Sequence, residues 1–92
     1  MDSIISNDKK CYICGTPQNL HKHHIFAGNA NRTLSDKYGL WVYLCAWHHN
    51  ASDMSVHRNV SMNYSLRREA QRKFEETHTR EEFIRIFTRS CL

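Results

Sequence analysis

The chain has 92 residues, a hydrophobic fraction of 40%, and 13 Lys and Arg against nine Asp and Glu, for a net charge of +4 at pH 7. This length predicts one domain with a thin core, which a bound metal ion would help to stabilise. We see no signal peptide and no apolar run near the roughly 20 residues that span a bilayer, so we expect reduced thiols, no membrane association and a cytoplasmic location.

The N-terminal half predicts two strands joined by a loop. Residues 1–10 are polar and predict a flexible segment, and Cys11–Gly15 is typical of a zinc-knuckle turn. A strand is expected around His24 and should end at the small, turn-forming residues 27–31. The loop that we expect to follow ends at Gly39 and carries Arg32, Ser35, Asp36 and Lys37.

A second strand is predicted for residues 40–44, which are apolar, aromatic or β-branched. The segment from Cys45 to about Val56 contains no Gly or Pro and predicts a short helix directly after that strand. On a continuous helix the residues at four-residue spacing share a face, and here these are His49, Asp53 and His57.

Residues 64–89 predict two further helices, since they contain no Cys, Gly or Pro. Leu66, Ala70 and Phe74 recur every four residues, as in an amphipathic helix. Thr79 and Glu82 have the spacing of a capping box, so the last helix should begin near residue 80. The predicted fold class is therefore α+β, in a single domain of residues 1–92 that consists of a metal-stapled part, 11–58, and two helices within 64–89.

Two half-sites of cysteine and histidine predict a structural Zn²⁺ ion. Zinc prefers four tetrahedral ligands, and a pair separated by two residues supplies two of them from one turn. Cys11 and Cys14 form one such pair, and Cys45 and His48 form the other. The alternative is two unrelated knuckles or buried free cysteines.

The remaining histidines indicate a second, more reactive site. Adjacent residues on a strand point to opposite faces, so one of His23 and His24 could bind a metal ion while the other accepts a proton from water. Imidazole suits the second role because its ordinary pKa is about 6.5. His49 could reach the same ion from the predicted helix. The alternative is that all these histidines are structural.

The order of these motifs resembles the HNH endonuclease family in its zinc-stapled form, over Cys11-x2-Cys14, His23-His24-Ile25 and Leu44-Cys45-x2-His48-His49. The resemblance implies a ββα-metal (His-Me finger) core and a metal-dependent endonuclease that hydrolyses phosphodiester bonds in DNA. It further implies that His23 and His49 bind a catalytic divalent cation, and that His24 is the general base. That cation would be Mg²⁺ or Mn²⁺, with Zn²⁺ or Ni²⁺ as alternatives.

The chain departs from the family where an Asn usually orients the base, because residues 38–44 contain none. Asn29, Asn31 and Asp36 are the candidates to replace it, and we favour Asp36 as the catalytic partner. His57 is a candidate third metal ligand or phosphate contact. The later Val-His pair also resembles a phage-associated branch that includes recombination-linked, RecA-dependent nucleases. That branch implies a phage or its bacterial host, and a recombinase filament or phage packaging and recombination proteins as partners besides DNA.

The positive charge favours a polyanionic partner such as nucleic acid, although many proteins of this charge bind none. Phosphate contacts are one interpretation of the basic residues, and ordinary solvated charges are the other. These residues are Lys22, Arg32, Lys37 and Arg58 near the site, and Arg67, Arg68, Arg72 and Lys73 on the predicted amphipathic helix. The main rival to a nuclease is a non-catalytic zinc module that binds nucleic acid or protein. A hydrolase of RNA or another phosphodiester is the second rival.

Overall fold

The computed structural model describes residues 1–92, except for the side chain of Asn29. It has a mixed α+β architecture with two strands and three α-helices, as the sequence predicts for the fold class. The elements in chain order are β1 (Leu20–His24), α1 (Asn29–Tyr38), β2 (Trp41–Cys45), a π-helical turn (Trp47–Ala51), α2 (Val60–Phe74) and α3 (Arg80–Phe87). No helix among the described residues is long and apolar enough to cross a membrane.

The two strands form an antiparallel sheet whose register positions the histidines. Leu20 lies opposite Cys45 at one end of the sheet, and His24 lies opposite Trp41 at the other. Alternate residues of a strand share a face, so His21 and His23 point to the same side and His24 points away from them. One end of the sheet therefore carries Cys45, and the histidines of β1 are divided between the two faces of the sheet.

The segment between the strands is a helix, which corrects the predicted loop over Arg32, Ser35, Asp36 and Lys37. Leu34 and Tyr38, one turn apart, pack against the hydrophobic core. The buried Ser35 hydroxyl donates to the Phe26 carbonyl oxygen at 2.7 Å and ties the helix to the end of β1. Gly39 ends the helix in the left-handed region, at φ 70 and ψ 31. The turn-forming residues 27–31 thus introduce a helix.

The helix predicted from Cys45 to Val56 is also corrected, because regular structure ends at Ala51 and Ser52 is extended at φ −143 and ψ 169. The chain then turns back, so that the Val56 N–H donates to the His48 carbonyl oxygen at 2.8 Å and the His57 N–H donates to that of His49 at 3.3 Å. His57 therefore reaches His49 through this return of the chain. The Asp53 side chain is 100% exposed and does not share a helical face with the two histidines.

The core brings together β2, α2 and α3. Leu66, Ala70 and Phe74 are buried, as their four-residue spacing predicts, and so are Phe83 and Phe87 of α3. The predicted capping box is present at the start of α3. The Glu82 N–H donates to the Thr79 hydroxyl at 3.1 Å, and the Thr79 N–H donates to the Glu82 carboxylate at 3.2 Å.

The N-terminal segment has no helix or strand, yet its first residues are anchored to the core. The Ser3 hydroxyl donates to the Trp41 carbonyl oxygen at 2.5 Å, and the Ile4 N–H donates to the Gly39 carbonyl oxygen at 2.9 Å. A Cβ atom at Gly39 would collide with the Asp2 backbone carbonyl oxygen. Gly39 therefore permits the backbone of the N-terminal segment to approach it closely. The polar composition of residues 1–10 predicts a flexible segment and gives no sign of this contact.

Candidate functional site

The four side chains of the two predicted half-sites come together, and we name them the cysteine cluster: their ligand atoms all lie within 4.8 Å of one another, in Cys11, Cys14, Cys45 and His48. The Cys14 and Cys45 sulfurs are 3.8 Å apart. The His48 Nδ1 atom is 3.7 Å from the Cys11 sulfur and 3.4 Å from that of Cys45. Tetrahedral zinc with ordinary bond lengths would separate two sulfurs by about 3.8 Å, and a sulfur from a nitrogen by about 3.6 Å. The cluster could therefore hold a structural metal ion such as zinc.

Local backbone bonds place the first half-site against the second. The Gly15 N–H donates to the Cys11 carbonyl oxygen at 2.8 Å and closes the knuckle turn, with Gly15 in the left-handed region at φ 79. The Tyr12 N–H donates to the Tyr43 carbonyl oxygen at 2.9 Å. This last bond joins the knuckle to β2 two residues before Cys45, so the sheet fixes the distance between the half-sites.

The thiols of the cysteine cluster have opposing tendencies to ionise. Burial resists ionisation of Cys11, but backbone hydrogen bonds from Cys45, Cys14 and Ile13 outweigh burial and lower the pKa of this thiol to about 6. Burial raises the pKa of the Cys45 thiol, and the nearby Cys11 and Cys14 sulfurs raise it further. Crowded thiolates repel one another, and a bound cation would relieve that repulsion. The electrostatics therefore fit a metal site.

Three histidines form a second group, which we name the histidine cluster: the ligand atoms of His23, His49 and His57 all lie within 4.8 Å of one another. The Nε2 atoms of His49 and His57 are 3.1 Å apart. The His23 ring centroid is 5.3 Å from that of each of the other two. These separations allow all three imidazoles to contact one metal ion.

The histidine cluster favours neutral imidazoles. Burial, followed by the proximity of His49 and His57, lowers the pKa of His23 to about 3. Burial and the neighbouring His57 and His21 lower the pKa of His49 to about 4. A neutral imidazole presents the lone pair that binds a metal ion. At pH 7, therefore, His23 and His49 are in the form that a metal site needs.

His21 is a neighbour of this cluster and lies outside the set of ligands predicted from the sequence. Its Nδ1 atom lies 2.9 Å from the Nδ1 atom of His49, so one of the two nitrogens donates a hydrogen bond to the other. Such a bond fixes the orientation of the His49 ring, as outer partners of metal-binding histidines do. The alternation along β1, which puts His21 on the face of His23, was the signal that could have found it.

A cavity of about 100 Å³ opens beside the histidine cluster. It brings the cluster together with basic side chains and with His24, the candidate general base. Its lining consists of Lys22, His23, His24, Ala27, Arg32, His49 and His57. Lys37 and Arg58, which the sequence also placed near the site, are absent from the described lining of this cavity.

Asp36 lies beside His24. The His24 Nε2 atom is 3.1 Å from the Asp36 Oδ1 atom, and the Lys22 ammonium is 2.7 Å from the same oxygen. The bond from Lys22, together with the nearby His24, lowers the pKa of the Asp36 carboxyl. Of the other two candidates for this place, Asn31 lines a different cavity, and the side chain of Asn29 lies outside the described residues.

Comparison of the chain with protein-family models, with curated proteins and with solved structures finds no match. The chemistry of the chain is therefore carried by the two clusters and by the cavity beside the histidine cluster. The cysteine cluster has four ligand atoms and could hold a structural metal such as zinc. The histidine cluster has three ligand atoms and adjoins open space.

Proposed function

We propose that the chain is a metal-dependent endonuclease of the HNH type that hydrolyses phosphodiester bonds in DNA. The observation that carries this proposal is one cavity lined by three histidines that could hold a metal ion and by His24, which lies 3.1 Å from a carboxylate oxygen. In this proposal β1, β2 and the π-helical turn correspond to the ββα-metal core of that family. The cysteine cluster is then its zinc staple.

His24 is the general base in this proposal. The Asp36 Oδ1 atom lies 3.1 Å from Nε2 of His24, and its negative charge favours the tautomer with a proton on Nε2 and a lone pair on Nδ1. The Nδ1 atom can then accept a proton from a water molecule in the cavity. Asp36 takes the orienting role that an Asn has in the family, and it is a positioning residue because it acts through His24.

The proposed reaction breaks the bond between phosphorus and the 3′ oxygen. The water oxygen bonds to phosphorus, His24 takes one proton from that water, and the leaving 3′ oxygen gains a proton from solvent. The divalent cation held by the histidine cluster would supply positive charge that stabilises the phosphate in the transition state. Arg32, which also lines the cavity, is suited to contact the phosphate oxygens, whereas the Lys22 ammonium is bound to Asp36.

The ligand set also bears on the choice of cation. Imidazole nitrogen suits Zn²⁺, Ni²⁺ and other transition metals, whereas Mg²⁺ prefers oxygen ligands and retains bound water. The histidine cluster offers three nitrogens. We therefore propose Mn²⁺, Ni²⁺ or Zn²⁺ ahead of Mg²⁺ for this site, with activity in each cation as the direct comparison.

The test is plasmid nicking by the His24→Ala variant, with zinc content and circular dichroism measured on the same samples. Loss of a general base should slow nicking by about 10²- to 10⁴-fold and leave zinc content and fold unchanged. His78→Ala is the control, since His78 lies outside both clusters. Each assay is repeated with a recombinase filament on the DNA, because a RecA-dependent nuclease would need one.

Two results would overturn the proposal. One is His24→Ala nicking DNA as fast as the wild type. The other is a wild-type protein that nicks neither supercoiled nor single-stranded DNA in any divalent cation, with or without the filament. The non-catalytic zinc module would then be the better account, whereas cleavage of RNA alone would favour a different phosphodiesterase.

A further inference from the structure

A second cavity, of about 400 Å³, adjoins the one beside the histidine cluster. The Ala27 residue lines both cavities, so the two lie next to each other. The second cavity lies where the start of α1, the middle of α2 and the end of α3 meet. Its polar lining includes Asn31, Arg67, Thr88 and Arg89.

The cavity carries uncompensated positive charge. Among the side chains that the structure describes, neither Arg67 nor Arg89 forms a salt bridge, and no described lining residue is acidic. Two arginines without a carboxylate attract anions, and the planar guanidinium group matches the geometry of a phosphate.

Arg67 is held in place by aromatic rings and not by an acidic partner. Its guanidinium carbon lies 5.8 Å from the Phe26 ring centroid and 5.5 Å from that of Tyr64. Its Nε atom is buried and has no hydrogen-bond partner among the described residues. The two rings restrict the side chain and leave its charge intact. Buried donors without a partner are uncommon in proteins, and here one belongs to a side chain that lines an open cavity.

The other basic residues of α2 lie in different surroundings. The Lys73 ammonium pairs with Glu76 at 3.4 Å. Arg72 lines another cavity together with Glu69 and Glu76, and Arg68 is not among the described residues that line the Arg67 cavity. Of these four basic residues of α2, therefore, only Arg67 is among the described residues that line the second cavity.

We infer that this second cavity is a nucleic-acid subsite, which binds the sugar–phosphate group of the nucleotide next to the cleaved bond through Arg67 and Arg89. Its volume is within the range of about 300–1,000 Å³ found for small-molecule sites, more than inorganic phosphate alone requires. The buried Phe26 and Phe87 rings form an apolar floor for the sugar. This inference rests on the proposed function for the identity of the cleaved bond.

The direct test is a nuclear magnetic resonance titration of the zinc-loaded full chain, observing the side-chain Nε–H signals of its arginines. A phosphorylated thymidine dinucleotide should shift the signals of Arg67 and Arg89 and leave that of Arg68 unchanged. The nucleoside thymidine, which has no phosphate, should shift none of them. Unmoved Arg67 and Arg89 signals, or equal shifts at Arg68, would overturn the inference.

Variants provide a second test without any cleavage step. Arg67→Gln should weaken binding of a fluorescent oligothymidylate about tenfold and lower the slope of log affinity against log salt by about 0.7, the value for one lost phosphate contact on a single strand. Arg68→Gln is the matched control on the same helix and should change neither quantity. Equal effects of the two variants would contradict the subsite.

Arg67→Gln also removes contacts with two aromatic rings, so it changes packing as well as charge. A second pair of variants distinguishes the two effects. Arg89→Gln, at an exposed residue, should weaken binding in the same direction, and Arg85→Gln on α3 should not. Binding and cleavage can fail separately. If Arg67→Gln weakens binding but the wild type does not nick DNA, the nuclease proposal fails and the nucleic-acid site stands. If the wild type nicks DNA but Arg67→Gln binds normally, only the subsite fails.

Discussion

The cysteine cluster and the histidine cluster each include a residue of the π-helical turn. They differ in how completely protein ligands would surround a bound metal ion. The cysteine cluster offers four ligand atoms at separations that suit tetrahedral zinc. The histidine cluster offers three imidazoles beside a cavity of about 100 Å³. Structural zinc sites are closed by four protein ligands, and catalytic metal sites keep a position open. The difference in ligand number and access is the basis for proposing different roles.

Two neighbouring residues show how the clusters are connected. His48 and His49 both lie on the π-helical turn after β2. The His48 Nδ1 atom is 3.4 Å from the Cys45 sulfur, whereas the His49 Nε2 atom is 3.1 Å from that of His57. Turns of this kind are rare and often occur at functional sites. Loss of the cysteine cluster should therefore disturb both sites, and loss of a histidine ligand should spare the cysteine cluster.

The largest effect is expected from removing one zinc ligand. Cys14→Ser should abolish zinc retention and destabilise the fold by several kcal/mol, because structural zinc contributes on the order of 10 kcal/mol of binding free energy. Cys14 is exposed, so little packing is lost with the thiol. Chemical unfolding and zinc content measure the effect, with Cys91→Ser as the control outside the cluster. Equal stability of the two variants would contradict the assignment of the cysteine cluster as a closed structural zinc site.

A ligand of the histidine cluster should behave in the opposite way. His49→Ala should keep its zinc and change the free energy of unfolding by less than about 1 kcal/mol, since the side chain is half-buried. Nicking should fall at least about 100-fold, because a bound cation supplies several kcal/mol of transition-state stabilisation. Nicking rate and zinc content are measured on one preparation. If zinc is lost as well, the two clusters are one coupled site.

A smaller effect is expected at the partner of His24. Asp36→Ala removes the oxygen that lies beside His24, so nicking should fall about 10- to 100-fold, the loss typical for outer partners of metal-binding histidines. Binding of DNA should be little changed. Asp53→Ala is the matched control, because the Asp53 side chain is fully exposed. Equal nicking rates of the two variants would leave Asp36 with no orienting role.

The smallest effect sets the scale for an ordinary structural change outside both clusters. Thr79→Ala removes the cap of α3 and should cost about 1 kcal/mol of stability, with zinc content and nicking unchanged. The backbone hydrogen bond from Thr79 lowers the pKa of Glu82. The stabilisation that ionised Glu82 contributes is therefore present above the ordinary pKa of Glu. It is lost as pH falls through the lowered pKa that Glu82 has in the folded state. Unfolding curves of the wild type and of Glu82→Gln at neutral and acidic pH measure it, and a pH-independent difference between these two proteins would contradict it.

Local patterns predicted much of the architecture. The Cys and His spacing brought together the four residues of the cysteine cluster, and the four-residue repeat identified the buried face of α2. These features depend on neighbours within a few residues of one another. Helix α1 was missed because its helical character depends on contacts of Leu34, Ser35 and Tyr38 with the core, which a run of turn-forming residues conceals.

The candidate site was harder to predict where it depends on tertiary structure. His57 was placed near His49 for the wrong reason, since the chain turns back after Ala51 and does not continue as a helix. Asp36 was chosen among three candidates, and its contact with His24 requires the unpredicted α1. His21 could have been found from strand alternation, whereas the position of Arg67 depends on how α2 and α3 pack.

The most direct test of the division between the clusters is the number of metal ions per chain, counted by native mass spectrometry. Wild-type protein and His23→Ala are each purified, saturated with Mn²⁺ and exchanged into a volatile buffer. We expect one zinc ion in both proteins and one additional manganese ion only in the wild type. A second ion that persists in His23→Ala, or a wild-type chain that never takes more than one ion, would contradict the account.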